Sequence, residues 1–469
     1  MADSKKLHPL VDTTEANLLE DTFSYDLPPL IRFEGPIVEY IDGKAIEFHP
    51  KDVKTRDIFI TDTTFRDGQQ AQPPYTVDQI VRIYDLMSRV GGPNGVIRQT
   101  EFFLYTKHDR EALDRCRELG HDYPECTGWI RAVKGDFRRV KELGLKETGM
   151  LTSCSDYHIF NKLKFNSRQA CMDSYCEVVE AAFEAGVRPR CHLEDVTRAD
   201  IEGFVLPFVE RLMRMSEQVP DALSVKIRLC DTMGFGLSYP GVQLPRSIPK
   251  LVYKFTRELG LPSQRLEWHG HNDFHKVHVN GASAWLYGCD ALNGTAFGFG
   301  ERTGNPPLES AIFEYIALKG DLCGIRTEAI TELAAYMRSI GLQIPDNYPF
   351  AGKYFNTTRA GIHAGGLRHD ERVYNIFDTT KLLGVPPRVA ITDKSGVDGV
   401  AYWVNEFFGL HGEEQISKIK VHKLARWVID QYEQVGRITA ISDDELADKV
   451  EELMPEYWEK YEGAHKYSA

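Results

Sequence analysis

From residue 58 the chain repeats one rhythm eight times: a short apolar strand, a polar or Gly-containing turn, then an amphipathic helix. The strand-like segments are 58–62, 97–104, 127–132, 147–152, 187–193, 225–231, 265–271 and 290–296. The helical patterns between them are 76–90, 107–119, 134–143, 163–185, 198–217, 246–258, 275–288 and 307–319. A helix after each strand carries the chain back to the same end of a sheet, so neighbouring strands run parallel. Eight such units close into a (β/α)8 barrel, the expected α/β fold. An open doubly wound sheet is the alternative, weakened because no Gly-x-Gly-x-x-Gly turn follows the first strand.

Residues 1–54, without a clear helical period, read as an N-terminal arm that packs on the barrel or on a partner subunit, and 55–325 as the barrel. Residues 326–410 read as a linking subdomain that includes Ala360-Gly361-Ile362-His363-Ala364-Gly365-Gly366, and 411–469 as a helical one. Helices are expected near 327–341, 397–409, 414–434 and 442–461, which makes the C-terminal accessory region mostly helical. A chain of 469 residues is long enough for one large barrel and such an appendage.

A net charge of −13 argues against nucleic acid as a partner but allows a small anionic substrate in a locally positive cleft. No apolar run approaches the roughly 20 residues of a membrane span. The segment Met1-Ala2-Asp3-Ser4-Lys5-Lys6 lacks the apolar core of a signal peptide, so a cytoplasmic location is expected. Nine cysteines without Cys-x-x-Cys spacing suit a reducing compartment, with Cys154, Cys191 and Cys230 as core thiols.

The chemically suggestive residues gather at the strand C-termini, where a barrel builds its active site. Arg66 and Asp67 follow the first strand, Glu101 ends the second and Arg131 the third. Ser155 and His158 follow the fourth. Arg190, His192 and Glu194 share one face of the fifth, and Asp231-Thr232 end the sixth. In Trp268-His269-Gly270-His271-Asn272-Asp273, strand alternation points His269 and His271 the same way. The segments 62–70 and 298–305 add a carboxylate and an amide oxygen, and the set fits Mn²⁺, Mg²⁺ or Zn²⁺. The bland alternative is a pair of strand-end histidines in ordinary hydrogen bonds.

Asp62-Thr63-Thr64-Phe65-Arg66-Asp67-Gly68-Gln69-Gln70, the stretch Gly298–Asn305 and the segment 360–366 together resemble the acyl-CoA-condensing branch of the metal-dependent aldolase-like barrels. That branch contains 2-isopropylmalate, homocitrate, citramalate and Re-type citrate synthases, and the resemblance runs from about residue 55 to about 405. It implies a divalent-metal-dependent acyltransferase that joins acetyl-CoA to a 2-oxo acid by Claisen-type condensation. Asp67, His269 and His271 would bind the metal, with Asn305 as a weaker or outer ligand. Arg66 would stabilise the developing alkoxide, and Thr232 would hold the substrate carboxylate. His363 and Tyr374 are the candidate bases, acting across a homodimer on the partner's site; Glu194 would orient substrate or share proton transfer.

Arg190 resembles the arginine with which homocitrate synthases grip a distal carboxylate, and an unpaired guanidinium in an apolar pocket would be costly. A dicarboxylic oxo acid is therefore favoured, with Arg131 and His192 also lining its pocket. His192 is bulkier than the serine expected there, which shortens the pocket and favours oxaloacetate over 2-oxoglutarate. 2-Isopropylmalate or citramalate synthesis is the alternative, and a hydroxyacyl-CoA lyase on the same barrel is a more distant one. Two departures stand out. His275 occupies a position usually held by glycine, and Lys394-Ser395-Gly396-Val397 lacks the histidine and arginine of the related segment.

Overall fold

The computed structural model describes residues 19–461; residues 1–18 of the expected arm and 462–469 of the expected C-terminal subdomain lie outside the described residues. Eight strands form a closed parallel barrel: β1 (Phe59–Asp62), β2 (Ile97–Phe103), β3 (Glu125–Arg131), β4 (Glu147–Leu151), β5 (Arg188–Glu194), β6 (Lys226–Asp231), β7 (Leu266–Gly270) and β8 (Ala291–Gly294). They pair in chain order, and β8 closes the ring on β1. The helices between and after them are α1 (Val77–Gly91), α2 (Lys107–Glu118), α3 (Phe137–Glu142), α4 (Arg168–Glu184), α5 (Leu206–Ser216), α6 (Ile248–Tyr253), α7 (Val277–Tyr287) and α8 (Leu308–Lys319).

Local rules account for these elements. Thr76 starts α1: its hydroxyl accepts from the Gln79 N–H, and the Gln79 side chain accepts from the Thr76 N–H. Ile80, Ile83, Tyr84, Met87 and Val90 then recur at helical spacing and are all buried. The expected helix 163–185 starts at Arg168, behind the Ser167 cap, and a separate π-helical turn, Tyr157–Lys162, precedes it. The expected helix 198–217 opens with a π turn, Ile201–Val205.

Apolar side chains fill the space between strands and helices, but the barrel interior itself is polar. Successive inward residues from alternate strands form layers. In one, Arg190 bonds Glu267 at 3.2 Å and Thr127 at 3.2 Å, and Thr61 also donates to Glu267. In the layer above, Arg228 donates to Glu101 at 3.2 Å. Cys154, Cys191 and Cys230 are buried, and burial pushes each thiol up from its ordinary value. The described part of the arm packs on the barrel through a hairpin (Ile37–Ile41 with Lys44–Phe48), where Phe48 meets Tyr253 and Tyr287 edge-on.

After the barrel, α9 (Glu328–Ser339) packs on α1, and a lobe follows with α10 (Gly361–His369), α11 (Thr379–Leu383), α12 (Gly396–Phe408), α13 (His422–Glu433), α14 (Asp443–Leu453) and α15 (Pro455–Lys460). The expected helix 414–434 shrinks to α13, and 442–461 breaks at Met454-Pro455, where proline lacks the N–H to continue α14. A second apolar core joins Leu367, Val400, Phe407, Leu424 and Val450, so it crosses the expected boundary at 410/411. The arm also ties to this chain's own lobe: Tyr25 donates to Glu371 at 2.9 Å and accepts from Asn375 at 2.7 Å. Among the described residues, no helix is long and apolar enough to cross a membrane.

Candidate active site

At the C-terminal mouth of the barrel, one potential ligand atom each from Asp67, His269 and His271 lies within 4.8 Å of the others, and all three residues are buried. Nδ1 of His269 meets the side-chain Oδ1 of Asn293 at 2.7 Å, which assigns the ring proton to Nδ1 and leaves the Nε2 lone pair facing Asp67. His269 Nε2 and His271 Nε2 stand 3.5 and 3.8 Å from Asp67 Oδ2, too far for good hydrogen bonds. Asn305 donates to the same oxygen at 2.7 Å. Its own Oδ1 and Nδ1 of His271 are buried without hydrogen-bond partners. Acceptors converging at such separations, with orphaned neighbours, fit a divalent cation bound by oxygen and imidazole nitrogen.

The electrostatics favour the same state. Burial lowers both imidazoles, which keeps them neutral and able to donate a lone pair. Burial alone would raise Asp67, but the Arg66 guanidinium and the hydrogen bond from Asn305 hold the carboxyl below its usual range. Arg66 Nη1 lies 3.4 Å from Asp67, and its Nε donates to Glu101 at 2.9 Å. Burial opposes the charge on Glu101, yet Arg228, Arg66 and Arg190 hold it down at about 2. Arg66 is thus braced from below by a carboxylate that is itself braced by a wholly buried arginine.

The fold brings Arg66, Asp67, His269, His271 and Asn305 together and disposes the remaining expected residues differently. Glu194 sits at the end of β5, bonded to Ser153, to Lys162 at 2.9 Å and to His158 at 2.9 Å. The Thr232 hydroxyl accepts from the Asp195 N–H at 2.8 Å. His192 lies one layer above Glu101, its Nε2 3.5 Å from Glu101 Oε2, and neither atom has a hydrogen-bond partner. Room for it comes from Gly149, where a Cβ would stand 2.5 Å from His192 Nε2 and 2.8 Å from Glu101 Oε2.

Two expectations need correction. Arg190 is not an unpaired pocket guanidinium: it is 1% exposed, pairs with Glu147 at 2.9 Å and Glu267 at 3.2 Å, and lies below the Glu101–Arg228 layer. The desolvation argument for a distal carboxylate therefore lapses, because the compensating anions belong to the protein. Arg131 does not face a substrate pocket either. It ends β3 on the exposed rim, held by Asp136 at 3.2 Å over the Tyr105 ring.

His363 and Tyr374 belong to the lobe. Their rings lie 4.3 Å apart, and the His363 Nδ1 meets Thr358 Oγ1 at 3.1 Å. The Gly-rich segment that carries His363 is helix α10 rather than a turn. Gly361 is needed there, since a Cβ would lie 2.4 Å from the Ser395 carbonyl oxygen. The Gly361 N–H donates to the Lys394 carbonyl at 3.0 Å, so the segment lacking the family's histidine and arginine still joins α10 through backbone. His275 has φ of 56°, the left-handed region that glycine enters most freely, which accounts for the glycine usual at that position.

Sequence reasoning passed over Asn293, Glu267 and Arg228, although polar residues at inward parity in strands as apolar as β6, β7 and β8 are a readable signal. It also passed over Arg302, whose partners come from two other loops.

A closed barrel with a carboxylate, two imidazoles and an arginine at its C-terminal mouth defines the class of metal-dependent aldolase-like barrels. Residues 57–336 match the HMGL-like family model, and the chain belongs to that family. It is 53% identical to a citrate (Re)-synthase of Syntrophus aciditrophicus over 95% of this chain and 69% of that one. With a citrate (Re)-synthase of Clostridium kluyveri it shares 47% identity over 97% of each chain. A 2-phosphinomethylmalate synthase of Streptomyces hygroscopicus is 38% identical over 84% of this chain and 89% of the other. The chain is an enzyme of the condensing acyltransferase class.

Proposed function

We propose that this enzyme condenses acetyl-CoA with oxaloacetate to give citrate and free coenzyme A, with the Re selectivity its relatives' names state. The observation that carries this reading is the convergence of Asp67, His269 and His271 beside Arg66, in a chain 53% identical to a citrate (Re)-synthase. A divalent cation held by those three residues, with Asn305 at its edge, would act as a Lewis acid on the 2-oxo group. The Arg66 guanidinium, fixed by Glu101, offers a donor where the carbonyl oxygen becomes an alkoxide. Thr232 would hold the substrate carboxylate, Glu194 would orient the substrate, and His192 over Gly149 would form a short floor that suits a four-carbon oxo acid. A cavity of about 690 Å³, lined by Gln69, Gln70, Tyr75, Phe103, Tyr105 and His108, gives the acetyl-CoA arm room beside the mouth.

The methyl proton of acetyl-CoA passes to a base, the resulting carbanion adds to C2 of oxaloacetate, and water then cleaves the thioester. The base is His363, oriented by Thr358 and set against the tilted ring of Tyr374, reaching the site of a second copy in a homodimer. Two features support this. Among the described residues, neither side chain makes a hydrogen bond, ion pair or ring contact with its own barrel mouth. Ile362 and Ile376 beside them are 77% and 54% exposed, an apolar surface that a partner would cover. The nine free cysteines fit a reducing compartment such as the cytoplasm.

The test is release of free coenzyme A from acetyl-CoA and Mn²⁺ across oxaloacetate, 2-oxoglutarate, 2-oxoisovalerate, pyruvate and glyoxylate. Turnover of oxaloacetate, abolished by EDTA, is expected. Turnover confined to another oxo acid overturns the substrate assignment, and silence across the panel with metal bound overturns the condensation itself.

A further inference from the structure

Three loops supply the candidate centre: the β8 loop, Phe297 to Asn305; the β7 loop with His271 and Asp273; and the end of β6 with Thr232. One side chain bonds the other two from within the first. Arg302 donates through Nε to Asp273 Oδ1 at 2.9 Å and through Nη2 to Asp273 Oδ2 at 3.0 Å. The same Nη2 donates to the Thr232 carbonyl oxygen at 2.5 Å. Backbone bonding follows the same seam, where the Asn272 N–H reaches the Gly304 carbonyl at 2.9 Å.

Arg302 also stands at φ 56°, an uncommon conformation for a residue with a Cβ. Phe297, in the same loop, is left-handed too, at φ 53°. Such backbone persists where surrounding contacts over-determine it, and the bonds of the guanidinium fork are contacts of that kind. The fork lies flat against the carboxylate in a bidentate pair, a geometry an ammonium does not reproduce.

We infer that Arg302 is a positioning residue that sets the spacing of the metal ligands, holding His271 and Asn305 in register by clamping their loops to each other and to Thr232. Its hydrogen bonds go to Asp273 and the Thr232 carbonyl and to none of the candidate ligands. The inference rests on the reading of Asp67, His269 and His271 as a metal centre, and its test separates the two.

Mn²⁺ binding is measured by calorimetry on the purified full-length chain without either substrate, for wild type, Arg302→Ala, Arg302→Lys and Asp273→Asn, with metal-free melting curves alongside. Arg302→Ala is expected to bind Mn²⁺ about 10- to 100-fold more weakly, the range typical of groups that orient ligands. Its metal-free melting stays close to wild type, and Arg302→Lys falls between the two. Because the bond is shared, Arg302→Ala combined with Asp273→Asn loses no more than Arg302→Ala alone. Wild-type affinity in Arg302→Ala, additive losses in the double variant, or a loss matched by collapse of metal-free stability each overturns the clamp. Should Arg302→Ala fail to fold, Asp273→Asn decides by the same criteria. Wild type that binds no Mn²⁺ overturns the metal-centre reading instead.

Discussion

Arg190 illustrates how a buried charge changes meaning once its neighbours are known. Arg190→Ala removes the cation shared by Glu147 and Glu267 in the barrel interior and leaves Glu147 with Lys226 and Glu267 with Arg228. Leaving a buried charge wholly unpaired costs about 3–5 kcal/mol, and with Lys226 and Arg228 still in place chemical denaturation should show a loss below that ceiling rather than a selective rise in KM for oxaloacetate. Glu309 gives a pH test. Its carboxyl accepts from the Phe297 N–H at 3.0 Å, and burial pushes it up to about 7 from an ordinary 4.5. The folded chain therefore keeps a proton that the unfolded chain releases. The stability tied to that proton is complete below about pH 4.5 and lost as pH rises through about 7. Glu309→Gln is expected to flatten this slope, read as a smaller drop in melting temperature between about pH 5 and about pH 8 than wild type shows.

Strand β4 shows what a single element contributes to the site. Gly149 leaves the space that His192 and Glu101 occupy, so Gly149→Ala would force one of them to move. Overpacking of this kind costs about 1–3 kcal/mol, and the disturbed brace under Arg66 should lower kcat as well. Wild-type kcat in a well-folded Gly149→Ala enzyme would remove His192 from the pocket floor. At this scale the sequence was informative about strands and less so about what lies between them. All eight strands fell within a residue or two of expectation, because buried parallel strands are short apolar runs with turns at each end. The π turn before α5 runs directly into that helix, so periodicity alone merges the two, whereas the one before α4 lies ahead of the expected helix. The cluster of Asp67, His269 and His271 was legible because alternation and strand ends locate its members. Arg190 and Arg131 were misread because parity along a strand gives a side chain's face but neither its depth in the barrel nor its partners.

The described residues form two apolar cores, one in the barrel and one in the lobe that carries His363 and Tyr374. If the lobe serves a second copy's barrel, two differently damaged chains repair one another. Mixing Arg66→Ala with His363→Ala subunits should restore about a quarter of wild-type activity, because half of the randomly assembled dimers are mixed and each has one intact site. No recovery on mixing, with subunit exchange verified, would place His363 over its own barrel.

The cysteines suggest a use of a different kind. Cys116, Cys154, Cys171, Cys176, Cys191, Cys230 and Cys289 are all buried, spread along the chain from α2 to the turn before β8, and their thiols are pushed up by burial. A thiol reagent reacts with thiolate and needs access to it, so these positions stay silent until the segment around each one opens. The molecule thus carries its own set of local clocks. The order in which an alkylating label accumulates along the sequence would chart which part of the ring parts first, without a single engineered probe.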